Sequence, residues 1–120
     1  MKIKISISTP SKSYYVYADE NDKQMMVNDM RKPLSHAFLT MAIDVVKAWP
    51  EMLEDAQSHD LVKYQIIYTD NDVTRTLVGN HATPENFNEL MMLINSQIPK
   101  TNEQNRFERN LKCMLEHLND

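Results

Sequence analysis

The stretch "KIKISIS", Lys2 to Ser8, alternates without a break: Ile3, Ile5 and Ile7 fall on one side, Lys2, Lys4, Ser6 and Ser8 on the other. A period of two places those sets on opposite faces of a β-strand and gives no apolar stripe to a helix. Such a strand needs partners for its backbone groups and a cover for its isoleucines. The first partner is close by. "SYYVYA", Ser13 to Ala18, is built from aromatic and β-branched residues that suit a pleated surface. "TPSK" between them supplies a turn, with Pro10 pre-setting its backbone angle.

A second hairpin follows from the same logic. Val62, Tyr64, Ile66 and Tyr68 alternate with Lys63, Gln65, Ile67 and Thr69, and "VTRTLV", Val73 to Val78, reads as the partner strand. Thr69 to Asp72 between them are turn formers, since Asp and Asn bond to nearby backbone and tolerate left-handed geometry.

Helical spacing supplies the cover. After Pro33, Phe38, Met41, Ala42, Val45, Trp49, Met52 and Leu53 form one apolar stripe, with Pro50 expected to kink the helix or split it. Thr83 reads as the N-cap of a further helix with Pro84 in its first turn, and Phe87, Leu90, Met91, Ile94 and Ile98 as its stripe. Pro99 ends that helix. Thr101 and Gln104 have capping-box spacing, and Phe107, Leu111, Met114, Leu115 and Leu118 make a last stripe. "QMMVNDMRKP" has no clear period and reads equally as strand, turn of helix or loop. The expected fold is α+β in the order β-β-α-β-β-α-α, two antiparallel hairpins in one four-stranded sheet with two or three helices on one face.

At 120 residues the chain is one domain, residues 1–120, large enough to fold without a metal or disulfide. The lone cysteine, Cys113, and a polar N-terminal stretch without a signal-peptide pattern lead to the expectation of a cytoplasmic protein outside the membrane. The net charge of −4, from 17 acids against 13 bases, disfavours nucleic acid as a partner. One glycine, Gly79, rules out glycine-rich phosphate loops.

Chemical motifs are absent. "DND" from Asp70 is no calcium loop: the sixth position is Arg75 where glycine belongs, and the twelfth is His81 where an acid belongs. "DEND" at Asp19 fails in the same way. His36, His59, His81 and His117 do not pair at the spacing of two ligands on one helix face, so no metal or cofactor is expected. Cys113 and His117 stand four apart, and a small packing role suits Cys113 better than a nucleophile. Glu51, Glu54 and Asp55 read as a solvated helix face.

What stands out is surplus apolar area. Tyr14, Val16 and Ala18 point one way and Tyr15 and Tyr17 the other, yet one layer of helices covers one face. "MMVNDM", Met25 to Met30, is a second surplus among nine methionines. The leading expectation is therefore a non-catalytic protein-binding or regulatory module, self-associating or capturing a protein partner through Tyr15, Tyr17, Met25, Met26 and Met30. A nucleic-acid-binding regulator would instead use Lys2, Lys4, Lys12, Arg31 and Lys32. A small enzyme or ligand-binding domain would gather Arg75, His81 and Cys113. A small anion site would use His81, just before a helix start, with Arg75 and Lys63 on neighbouring strands. No family pattern is matched. In style, short, glycine-poor and rich in asparagine and methionine, the chain resembles small accessory proteins of bacterial phages or mobile elements, a likeness that assigns no residue a role.

Overall fold

The structure, a computed structural model, describes residues 1–55 and 61–98. Its strands are β1 (Lys2–Ser8), β2 (Ser13–Asp19), β3 (Gln24–Val27), β4 (Met30–Pro33), β5 (Met52–Glu54), β6 (Lys63–Asp70) and β7 (Val73–Asn80), and its helices α1 (His36–Val46) and α2 (Phe87–Gln97). All the strands join one mixed sheet in the order β4-β3-β2-β1-β6-β7-β5. The α+β class stands, with a wider sheet than the expected four strands. The expected last helix, with Cys113 and His117, lies outside the described residues.

β1 occupies the middle of the sheet, antiparallel to β2 on one side and to β6 on the other. Residues directly opposite in register share a face, so the core can be read across the strands. One row runs Val27, Val16, Ile5, Ile66, Leu77, and every member is buried. Phe38, Leu39, Ala42, Ile43 and Val46 of α1 and Leu90 and Ile94 of α2 complete the same core. α1 opens on Ser35, whose hydroxyl accepts a hydrogen bond from the Phe38 N–H at 3.1 Å.

The differences from the expected fold have local causes. "QMMVNDMRKP" forms the hairpin β3–β4, closed by Asn28 at φ 54°. Asn28 also exchanges hydrogen bonds with Tyr15, its N–H donating to the carbonyl at 2.7 Å and its Oδ1 accepting from the N–H at 3.0 Å. Pro50 neither kinks nor splits a helix. α1 ends before it, and Met52, Leu53 and Glu54 form the short edge strand β5, parallel to β7. The face that α1 buries is also rotated from the expected stripe, leaving Met41 51 % exposed. α2 begins one turn later than Thr83, after Asn86, and buries the expected Leu90 and Ile94.

"DND" is a turn, as read. Asn71 and Asp72 alone span β6 to β7, both with positive φ (51° and 64°), the two-residue geometry whose twist matches the flanking strands. The lone glycine has a packing reason. A Cβ on Gly79 would lie 1.9 Å from a ring carbon of Tyr64, its cross-strand neighbour. That ring packs with Trp49 and Phe87 at centroid distances of 5.4 and 6.1 Å. Among the described residues, no helix is long and apolar enough to cross a membrane.

Candidate functional site

The face of the sheet opposite the helices is the candidate site, and the strand register builds it. One row runs Arg31, Met26, Tyr17, Lys4, Ile67, Thr76. The next runs Tyr15, Ser6, Gln65, Val78, Met52. Tyr15, Tyr17, Met26, Ile67 and Val78 are half-buried by their neighbours, while Met52 is 69 % exposed. Both described helices pack on the other face, so no described element covers these side chains.

The surface is shaped as well as apolar. A shallow depression of about 640 Å³ lies over the middle strands, with Ser6, Tyr15, Gln65 and Val78 in its floor. A second of about 490 Å³ lies by Tyr17, Met26 and Arg31. Its charge is predominantly basic. Lys2, Lys4, Arg31 and Lys63 all belong to this face by register, against Asp19 and Glu54 toward its margins. Burial raises the Tyr17 phenol above its ordinary pKa, and Asp19, Asp22 and Tyr15 push it the same way. Tyr17 is therefore a neutral hydrogen-bond donor at physiological pH.

Of the residues expected to bind a partner, Tyr15, Tyr17 and Met26 share this face. Met25 does not: it is a core residue, 1 % exposed, because its neighbour Met26 takes the open side. Met30 sits opposite Val27 and so belongs to the helix-side face. Sequence reasoning missed Ile67, Val78 and Met52 as members. Ile67 was visible as the one large apolar residue among Lys63, Gln65 and Thr69 on the polar side of its strand.

The basic residues divide as well. Lys2, Lys4 and Arg31 lie on the open face, Lys12 lies in the turn between β1 and β2, and Lys32 is on the helix side. Lys32 Nζ donates to the Gln97 side-chain oxygen at 2.8 Å and to its carbonyl at 3.2 Å. Arg75 and His81 do not form a common site. Arg75 Nη1 donates to the Lys47 carbonyl and the Tyr68 hydroxyl, both at 2.9 Å, and Nη2 to the Trp49 carbonyl at 3.0 Å. The guanidinium thus satisfies carbonyls that the end of α1 leaves open. His81 lies just past the far end of β7, about 20 Å along at the rise of a strand. Its N–H donates to the Val62 carbonyl at 2.9 Å. Among the described residues, no group of three His, Cys, Asp or Glu is placed to hold a metal ion.

No family model, no curated protein and no solved structure matches the chain.

Proposed function

We propose that this protein is a non-catalytic binding module that takes a protein partner on the open face of its sheet. One observation carries the reading: two adjacent rows of a sheet interior present Tyr15, Tyr17, Met26, Ile67 and Val78 with no described element over them. Apolar and aromatic side chains gathered on one face, with charge at intervals, have the makeup of a protein contact surface. Lys2, Lys4 and Arg31 among them favour a partner whose apolar patch carries carboxylates. A second copy of the chain could use the same patch, but face-to-face contact would bring basic residues against one another.

The reading is tested by paired measurements on Tyr15→Ala/Tyr17→Ala and Ile67→Asp. Both variants should keep the wild-type fold by circular dichroism and lose captured host protein by about tenfold or more, since interface tyrosines rank among the strongest contributors. Light scattering on the same samples separates a captured partner from self-association. Equal capture by wild type and variants would remove the proposal. Binding to single-stranded nucleic acid that weakens steeply with salt would replace it with the polyanion reading.

A further inference from the structure

The two sides of the sheet treat their cations differently. On the helix side Lys47 Nζ lies 3.3 Å from an Asp70 oxygen, Lys32 is held by Gln97, and Arg75 satisfies carbonyls. On the open face Lys2, Lys4, Arg31 and Lys63 are all exposed, and none is ion-paired with a described carboxylate. Even Asp19, directly opposite Lys2, has its Oδ1 accepting from the Asn21 N–H at 3.0 Å. Unpaired cations gathered on one face of a chain with net charge −4 draw an anionic partner to that face.

Two of these cations bracket the depression over the middle strands. The depression exists because β1 and the start of β2 carry short side chains there, Ser6, Ser8 and Ser13, beside Tyr15 and Val78. Lys4 precedes Ser6 by two residues on β1, and Lys63 stands directly opposite Ser8. At about 3.4 Å per residue along β1 and about 4.8 Å between strands, Lys4 and Lys63 are about 14 Å apart. Four residues of extended chain cover the same span, and positions i−2, i and i+2 of such a chain point to one side. A segment laid along β1 therefore sets its central side chain over Ser6 and the outer two over Lys4 and Lys63.

The lining says what each position must be. Tyr15 and Val78 offer apolar area, and serine hydroxyls both donate and accept. A ring with a polar tip meets both needs, its body against Tyr15 and Val78 and its O–H or N–H at the serines. The outer positions, over unpaired ammonium groups, call for carboxylates.

We propose that the depression over Ser6 is the anchor site for an extended acidic segment of the partner, a tyrosine or tryptophan seated between carboxylates two residues to either side. This rests on the binding-face reading above and adds the chemistry of the anchor. The probe is the acetylated and amidated peptide Glu-Thr-Tyr-Thr-Glu, titrated into the isotope-labelled full chain. Amide signals of Ser6, Ser8, Gln65 and Val78 should shift saturably. Lys-Thr-Tyr-Thr-Lys and Glu-Thr-Ala-Thr-Glu should bind about tenfold more weakly or worse. Ser6→Phe, which fills the depression, should keep the fold by circular dichroism and abolish the shifts. Lys4→Glu/Lys63→Glu should reverse the preference toward the lysine-flanked peptide. Equal shifts with all three peptides, none at millimolar peptide, an unreversed preference, or tighter binding of oligothymidylate than of any peptide would overturn the proposal. Host protein captured by Ser6→Phe as by wild type, but lost by Tyr15→Ala/Tyr17→Ala, would overturn the anchor and leave the binding face standing.

Discussion

The two faces of the sheet are made by the same strands and have opposite fates. Ile66 and Ile67 are adjacent residues of β6, yet Ile66 is fully buried under the helices and Ile67 lies beside Lys4 on the open side. On the helix side, side chains interlock from five strands and two helices, so each loss leaves a hole. On the open side a side chain touches only its cross-strand neighbours. One face stores the stability of the fold, and the other offers area that the fold does not need.

The sharpest way to break this contrast is the adjacent pair. Ile66→Ala should destabilise by about 2–5 kcal/mol, through lost burial and an unfilled cavity. Ile67→Ala should cost under about 1 kcal/mol and act on partner capture instead. Urea titration of both variants checks this, and equal losses would erase the distinction between faces. Gly79→Ala comes next, at about 3 kcal/mol, because its methyl has nowhere to go but into the Tyr64 ring. A midpoint unchanged within error would show that the ring moves aside freely.

Arg75→Ala tests how the helix layer is held. It frees the carbonyls of Lys47 and Trp49 and should cost about 1–2 kcal/mol in chemical denaturation. Its effect on partner capture should be nil. Smallest is Tyr64→Phe. The Tyr64 hydroxyl is buried without a hydrogen-bond partner in the described structure, so its removal should be neutral or stabilising by up to about 1 kcal/mol. Burial raises the Tyr64 phenol above the ordinary tyrosine pKa. The unfolded chain therefore ionises first, and stability present below about pH 10 is lost as pH climbs through the folded pKa. Melting temperatures from neutral to alkaline pH should fall less steeply in Tyr64→Phe than in the wild type.

Much of the sheet was legible because its long strands repeat their period. β1, β2, β6 and β7 each hold seven or eight residues, enough for three or four inward positions to declare themselves. β3, β4 and β5 hold four, four and three, and one or two residues per face carry no readable period. For that reason the sequence does not separate Met25 from Met26, although they point to opposite sides. In α1, Phe38, Leu39, Met41, Ala42, Ile43, Val45 and Val46 are all apolar. Spacing alone then admits two stripes, and packing against the sheet selects the one with Leu39 and Ile43. The open face was legible through Tyr15 and Tyr17, on the polar side of an otherwise clear strand. Met52 joined it only through a parallel pairing with β7, a long-range contact that local pattern does not encode.

The central place of β1 bears on how the molecule is made. Its β2 neighbour emerges from the ribosome almost with it, but its other flank waits for β6, on the far side of α1 and β5. At about 5–20 residues per second, that interval leaves a hairpin with one raw backbone edge for several seconds. During that time a passing strand from another nascent chain can occupy the place meant for β6. Yield in a cell should therefore respond to translation speed between Asp19 and Lys63.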